Sequence, residues 1–174
     1  MNQTNTRTLA TGAILVTIAV VGSLFSFPIL GAKCSPVQSL VNIITAILLG
    51  PGWAFKVAFL AATIRNLLGL GTLFAFPGSI FGAALAGYLY KYNKNVIGAY
   101  VGELFGTSII GSIASYPVAT LILGSSKATL FGFIFPFFVS TAGGTVLAIV
   151  IVTAMRKNRN ALGNWIYEKL NYHS

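Results

Sequence analysis

The sequence predicts an all-α polytopic membrane protein with six transmembrane helices in one bundle and both termini in the cytoplasm. Its composition suits a bilayer, because 56% of the 174 residues are hydrophobic and only 7% are charged, against about a quarter charged in a soluble domain. Apolar runs follow one another with short breaks, and a membrane span needs about 20 such residues. The Lys and Arg residues fall mainly on one side of these runs, which fixes the orientation.

Each predicted helix ends at a recognisable turn signal. Pro28 stops the first apolar run, and a polar loop follows it as far as Pro36. A Gly-Pro-Gly break at residues 50–52 separates the second run from the third, and a polar turn at residues 91–95 separates the fourth from the fifth. The six runs cover residues 8–27, 37–49, 53–68, 77–90, 96–123 and 129–155. The last two exceed the length that a bilayer requires, so we expect them to tilt or kink.

The distribution of positive charge predicts the orientation of the bundle. An even number of spans places both termini on one side, and eight of the eleven Lys and Arg residues fall on that side. The other three are Lys33, Arg65 and Lys127. The positive-inside rule therefore predicts cytoplasmic termini. We expect a transmembrane domain over residues 1–155 and a short basic amphipathic tail over residues 156–174, lying along the inner membrane face.

The scarcity of acidic and imidazole groups excludes several functions. Asp is absent, Glu103 and Glu168 are the only acids, and His173 is the only histidine. The sequence therefore has too few acidic and histidine residues to build a carboxylate pair, a catalytic triad or a metal cluster. We expect neither an enzyme nor a cofactor. The net charge of +9 does not indicate nucleic-acid binding, which needs a basic surface on a polar scaffold. No nucleotide-binding Gly-Lys-Ser/Thr loop is present, so the chain cannot itself hydrolyse ATP.

Small residues at four-residue spacing predict which helices pack most closely. Gly98, Gly102 and Gly106 form such a series in the fifth run, and a matching series, Gly78, Gly82 and Ala86, lies in the fourth. Helices in lipid associate through close backbone approach at small residues. We therefore expect the fourth and fifth helices to be the most tightly packed pair.

Polar residues inside the apolar runs indicate a wet or hydrogen-bonded interior. Gln38, Asn42 and Thr45 are spaced by four and seven residues, which places them on one face of the second helix, directed into the bundle. Further polar side chains lie toward the predicted outer ends of the third and fifth runs, at Arg65, Asn66, Ser108, Ser112, Ser115 and Tyr116. Two interpretations remain open: interhelical hydrogen bonds that hold the bundle, or a binding cavity that opens outward.

Aromatic residues and one buried acid add to this pattern. The sequence Phe-x-Phe-Pro occurs at residues 25–28, 74–77 and 133–136, near the predicted outer surface each time. These rings fit either an interfacial aromatic belt or stacking on an aromatic ligand. Glu103 is the only acid inside a predicted span and must be protonated or paired, with Arg65 and Lys56 as available cations. An ion pair, a ligand contact and a proton relay all remain open for it.

Four strings carry a resemblance to a known family. They are GAKCSPVQSLVNIITAILLGP (31–51), RNLLGLGTLFAFPGS (65–79), GELFGTSIIG (102–111) and YPVA (116–119). Together they resemble ThiW, a family of membrane-embedded substrate-binding subunits, or S-components, of energy-coupling-factor transporters assigned to the thiazole precursor of thiamine. The resemblance covers residues 9–155. It implies a six-helix fold in the cell membrane, a small-molecule substrate, and as partners a transmembrane coupling protein and two ATPases.

The resemblance also implies which residues to examine. The implied substrate, hydroxyethylthiazole, is a small neutral aromatic ring, so its pocket requires rings and few charges. The candidate substrate-binding residues are Phe27, Phe74, Phe76, Tyr116, Gln38, Asn42, Asn66 and Glu103. Lys33 and Cys34 lie in the first loop, which in S-components often covers the ligand. The family docks its coupling protein through an Ala-x-x-x-Ala surface on the first helix, which Ala13 and Thr17 match with threonine in place of the second alanine.

Two other functions remain open on the residues. A stand-alone secondary carrier would use Glu103 as a proton site and would work without ATP, although the six runs show no inverted repeat. An intramembrane hydrolase would centre on Ser79, but no histidine or paired acid is available to activate that hydroxyl.

Overall fold

A computed structural model describes residues 3–29, 32–122, 124 and 132–157. In chain order these residues form α1 (Gln3–Gly22), a 3₁₀ turn (Ser23–Phe25), the strands β1 (Phe27–Ile29) and β2 (Ala32–Cys34), then α2 (Pro36–Leu49), α3 (Pro51–Leu67), α4 (Ala75–Asn93), α5 (Val96–Phe105), a π-helical stretch (Gly106–Gly111), α6 (Ser112–Pro117), a second π-helical stretch (Val118–Ile122) and α7 (Ile134–Lys157). The predicted all-α class is confirmed, and the helices follow the order of the apolar runs.

The first predicted span ends earlier than expected. It was expected to reach Phe27, but α1 ends at Gly22 and Phe27 instead begins a two-stranded antiparallel hairpin. Phe27 pairs with Cys34, and Pro28 pairs with Lys33. A sheet of two strands has only edges, so a proline that lacks an N–H is tolerated in it. The predicted loop before α2 is therefore an ordered hairpin.

The fifth predicted span is a continuous but irregular helix. It runs from Val96 to Ile122 and includes two π-helical stretches, Gly106–Gly111 and Val118–Ile122. Pro117 lies directly before the second stretch, and its missing N–H removes one regular α-helical hydrogen bond. Widened π turns of this kind are frequent at functional sites.

Three helical segments are long and apolar enough to cross a membrane: Thr6–Phe25, Val96–Ile122 and Ile134–Lys157. Pro36–Leu49 is a shorter apolar helix. The count of six spans and the cytoplasmic position of the termini stay predictions. The predicted amphipathic tail lies outside the described residues except for its first two positions, and so does Lys127.

The predicted close packing of the fourth and fifth helices is confirmed. A Cβ atom added at Gly102 would lie 2.6 Å from the Cα of Ala86, and one added at Gly106 would lie 2.7 Å from the Cα of Gly82. Both distances are shorter than any real contact of a Cβ atom. The two backbones therefore touch, and only glycine permits this approach.

Helix α2 is the central helix of the bundle. Ten of its fourteen residues are buried, and it packs against α1, α3, α4 and α7. Ile43 and Ile47 belong to the largest apolar cluster, whereas Gln38 and Asn42 are buried polar residues. The predicted inward direction of the polar face is therefore confirmed. Gly50, with φ +83°, turns the chain from α2 into α3, a conformation that glycine adopts without strain.

Candidate binding site

A cavity of about 40 Å³ lies between the hairpin, the start of α2, the end of α3, the start of α4, the first π-helical stretch and α7. Its lining residues are Lys33, Ser35, Gln38, Ser39, Asn42, Arg65, Thr72, Phe74, Ala75, Gly78, Ser79, Thr107, Phe137 and Ser140. The positive-inside prediction places this end of the bundle on the extracellular side. Polar groups dominate its α2 and α3 sides, and aromatic rings lie on its α4 and α7 sides.

A chain of hydrogen bonds links the polar side of the cavity. Arg65 donates from a terminal guanidinium nitrogen to Oε1 of Gln38 at 3.0 Å. Gln38 Nε2 donates to Asn42 Oδ1 at 3.1 Å. Asn42 Nδ2 donates both to Oε1 of Glu103 at 3.0 Å and to the carbonyl oxygen of Ser79 at 3.2 Å. We call these four side chains, Arg65, Gln38, Asn42 and Glu103, the polar relay.

Glu103 lies at the inner end of the polar relay and is fully buried. Its Oε1 also accepts a hydrogen bond from Thr107 Oγ1 at 3.1 Å, while its Oε2 has no hydrogen-bond partner within the described part of the chain. A Cβ atom added at Gly82 would lie 2.7 Å from Oε2. The glycine series that brings α4 against α5 therefore also makes room for this carboxyl group.

The two cations proposed as partners of Glu103 are placed differently. Arg65 is 2% exposed and connects to Glu103 only through the two amides of the polar relay. Lys56 is exposed and lies 5.1 Å from the ring centroid of Trp53. Within the described residues the carboxyl group therefore makes a relayed connection to a cation and no direct ion pair.

The hairpin is tied to both sides of the cavity mouth. Lys33 Nζ donates to the carbonyl oxygens of Gly69 and Leu70, at 3.4 and 3.2 Å. These two residues follow the end of α3. The ammonium group thus bridges the hairpin and the α3–α4 connection, and it does so at an exposed position.

The end of the hairpin is fixed to α7. Cys34 Sγ donates to the carbonyl oxygen of Pro136 at 3.1 Å, and the backbone N–H of Ser35 donates to Ser140 Oγ at 2.8 Å. Cys34 is 1% exposed, and burial raises the pKa of its thiol. It is therefore a packed, protonated anchor of the hairpin.

Phe74 and Phe137 supply the aromatic side of the cavity. Both belong to one buried cluster with Ala119, and the ring of Phe133 lies between them, with centroids 4.6 Å from Phe74 and 6.2 Å from Phe137. Two of the Phe-x-Phe-Pro segments thus meet at this wall. Their rings are supported from behind, which presents a firm apolar surface to the cavity.

The structure brings together only part of the residue set suggested by the resemblance. Gln38, Asn42, Phe74 and the predicted gating residue Lys33 line the cavity. The other candidates do not line it. Glu103 lies behind Asn42, and Asn66 donates back to the carbonyl oxygen of Ala62 in its own helix. Phe76 packs edge-on against Phe59, Phe27 is 43% exposed on β1, and Tyr116 lies on α6.

Several lining residues were not selected from the sequence. Arg65 belongs to the polar residues expected in the bundle interior and to the possible partners of Glu103, but not to the candidate substrate-binding residues, although a lone cation at the outer end of a span is itself a signal. Phe137 follows the third Phe-x-Phe-Pro segment by one residue, so the motif pointed to the right turn of helix. Ser79, the candidate nucleophile, donates to the carbonyl oxygen of Ala75 in its own helix at 2.6 Å. Nothing in the described site activates it.

The charge around the cavity is positive. Lys33 and Arg65 line it, and no carboxylate does so among the described residues. The nearest described acid, Glu103, is separated from the cavity by Asn42. The site therefore suits a ligand that is neutral or anionic and has an apolar ring.

Comparison with known proteins agrees with this architecture. The sequence model of the ThiW family, described as thiamine-precursor transporter protein, matches residues 9–158. Among curated proteins, none matches the sequence at a significant level. A solved structure of the S component of a bacterial ECF transporter is similar in fold, with a TM-score of 0.73 at 19% identity over 90% of this chain and 99% of that one.

Proposed function

This chain belongs to the ThiW family of thiamine-precursor transporter proteins, and we propose that it is the substrate-capture subunit of an energy-coupling-factor importer. It is an integral membrane protein. The proposed ligand is hydroxyethylthiazole, which it takes up at the outer end of the bundle and passes on through a coupling protein and two ATPases. One observation carries this proposal: a cavity with hydrogen-bonding groups on one side and the rings of Phe74 and Phe137 on the other.

The chemistry of the cavity fits a small substituted heteroaromatic ring. Phe74 and Phe137 offer apolar surfaces for the ring, while Gln38 and Arg65 offer hydrogen bonds to its polar atoms. Phe27, Phe76, Tyr116 and Asn66 remain proposed contacts of a ligand-bound conformation. The volume of about 40 Å³ is small for a substituted ring, and we propose that ligand entry widens the cavity.

Calorimetric titration of the purified chain in detergent tests the proposal. We expect hydroxyethylthiazole to bind in the absence of ATP and partners, and to bind more tightly than hydroxymethylpyrimidine or thiamine. Circular dichroism establishes that the sample is folded. A folded sample that binds none of the three compounds would contradict the proposed substrate.

We further propose that the hairpin gates the cavity, with Lys33 and Cys34 as its attachment points. The Lys33→Met variant loses both hydrogen bonds from the ammonium group to the α3–α4 connection. Each such bond contributes about 1 kcal/mol, so we expect association and dissociation rates to rise about three- to tenfold each. Rapid filtration with radiolabelled ligand measures both rates.

The matched control for this prediction is Lys91→Met, which removes an exposed cation near the opposite end of α4. It leaves both rates unchanged. Faster dissociation of the Lys33→Met variant without faster association would identify Lys33 as an ordinary ligand contact and contradict the gate.

The proposed docking surface for the coupling protein lies on α1. Ala13 and Thr17 are exposed on this helix, and Thr17 Oγ1 donates to the carbonyl oxygen of Ala13 at 3.0 Å. The hydroxyl is therefore satisfied within its own helix, and both positions present a small surface. Small exposed residues one turn apart allow another membrane helix to approach closely.

A second candidate function is a stand-alone proton-coupled carrier. The observation that favours it is the fully buried carboxyl of Glu103, whose Oε2 is unpartnered within the described residues. Such a group in a membrane bundle is a possible proton site. The two functions differ in their energy source, which is ATP hydrolysis by partner proteins for the capture subunit and a proton gradient for the carrier.

A further inference from the structure

The direction of every hydrogen bond in the polar relay is fixed at both ends. A guanidinium group can only donate, so Gln38 must turn its Oε1 to Arg65 and its Nε2 to Asn42. A backbone carbonyl can only accept, so Asn42 must turn its Nδ2 to Ser79. Arg65 fixes the orientation of the Gln38 amide and the Ser79 carbonyl fixes that of the Asn42 amide, and the two orientations agree at the bond that joins the amides. The nitrogen and oxygen positions of both amides are therefore determined by their partners.

This fixed direction makes the polar side of the cavity rich in donors. Both amide oxygens are already bonded, Gln38 Oε1 by Arg65 and Asn42 Oδ1 by Gln38. Both N–H groups of the Asn42 amide are used as well. The relay groups that can still donate toward the cavity are the N–H groups of Gln38 and Arg65.

Among these groups, Arg65 carries a buried N–H donor that lacks an acceptor within the described part of the chain. It is 2% exposed and lines the cavity, and its Nε has no hydrogen-bond partner among the described residues. A buried N–H without an acceptor is unfavourable, and a hydrogen bond from a charged donor is among the stronger ones. A ligand that places an acceptor atom at Nε therefore gains a contact that the empty protein does not satisfy.

We propose that Arg65 donates a hydrogen bond to an acceptor atom of the ligand. The site therefore binds rings that have a free ring nitrogen or a side-chain oxygen and rejects rings that are quaternised and cationic. The inference rests on the proposed function and narrows its substrate class. A thiazolium ring, alkylated at nitrogen as it is in thiamine, offers no acceptor there and carries a positive charge toward Arg65 and Lys33. Uncharged and acidic thiazoles satisfy the same donors.

The first test compares hydroxyethylthiazole with its N-methylthiazolium salt by calorimetry on the full-length wild-type chain. We expect the salt to bind at least about 100-fold more weakly, the combined effect of a lost charged hydrogen bond and of like-charge repulsion. An analogue with ethyl in place of hydroxyethyl shows whether the ring nitrogen or the side-chain oxygen accepts the hydrogen bond from Arg65. Equal affinity for the thiazole and its salt would overturn the inference.

The second test separates recognition by Arg65 from simple exclusion of the added methyl group. In Arg65→Met we expect hydroxyethylthiazole to bind about 10- to 100-fold more weakly, and the preference over the salt to shrink by a similar factor. Steric exclusion would leave that preference unchanged. The matched control is Lys56→Met, which removes an exposed cation from the same helix and leaves both affinities unaltered.

Two further results keep the inference distinct from stability and from the proposed function. If Arg65→Met fails to fold, Arg65→Lys keeps the positive charge but lacks the Nε–H, and we expect it to lose most of the preference. If folded wild-type protein binds neither compound, the proposed substrate fails. If wild type binds hydroxyethylthiazole but both Arg65 variants keep its affinity and preference, the assignment of Arg65 fails while the proposed function stands.

Discussion

The Asn42→Leu variant is expected to lose ligand binding by about 100-fold or more and to unfold at a lower temperature. Leucine fills a similar volume but can neither accept from Gln38 Nε2 nor donate to Glu103 and the Ser79 carbonyl. Each buried polar group that is left without its hydrogen-bond partner costs about 1–3 kcal/mol. Calorimetric titration and thermal unfolding of the detergent-solubilised protein measure the two effects.

The two effects of Asn42→Leu have separate physical origins and can be separated. Adding Glu103→Leu removes the stranded carboxyl, so we expect the double variant to regain part of the lost stability. It does not regain binding, because Gln38 Nε2 still lacks the acceptor that Asn42 Oδ1 supplies in the wild type. Asn93→Leu, an equal substitution at an exposed position at the opposite end of α4, changes neither quantity. Unaltered affinity in Asn42→Leu would refute the role given to the polar relay.

The sequence predicted the parts of the site that depend on one helix. Gln38 and Asn42 are four residues apart, and that spacing is enough to place both on one face of α2. The glycine spacing in the fourth and fifth runs likewise predicted their contact, because each glycine series marks a groove along its own helix.

The parts that depend on how helices rotate against one another could not be predicted. Arg65 reaches Gln38 across 27 positions of sequence, and Asn42 reaches Glu103 across 61. No local pattern encodes such pairs. Phe76 and Phe74 differ by two positions in one motif, yet Phe74 lines the cavity and Phe76 packs outward on Phe59. A rotation of less than one turn decides between them.

Vesicles that contain this chain alone are expected to accumulate no hydroxyethylthiazole, even under an inward proton gradient. Addition of an energy-coupling-factor coupling protein, its two ATPases and internal ATP is expected to restore uptake. In the proposed mechanism this chain only binds the ligand, and the work of transport comes from ATP hydrolysis by its partners, so a proton gradient alone drives no uptake. Uptake of radiolabelled ligand measures the difference, with ATP replaced by a non-hydrolysable analogue as the control.

Two variants make this experiment decisive between the capture subunit and the proton-coupled carrier. Glu103→Gln keeps an oxygen that can accept from Asn42 Nδ2, so the polar relay persists, and ATP-driven uptake stays within about threefold of wild type. A carrier that uses Glu103 as its proton site would lose transport. Ala13→Leu adds bulk on the exposed face of α1; it retains ligand binding but loses ATP-driven uptake through impaired docking. The contrary result is uptake by the chain alone that a proton gradient drives and that Glu103→Gln abolishes. That result would identify the proton gradient as the energy source and would contradict the capture-subunit proposal.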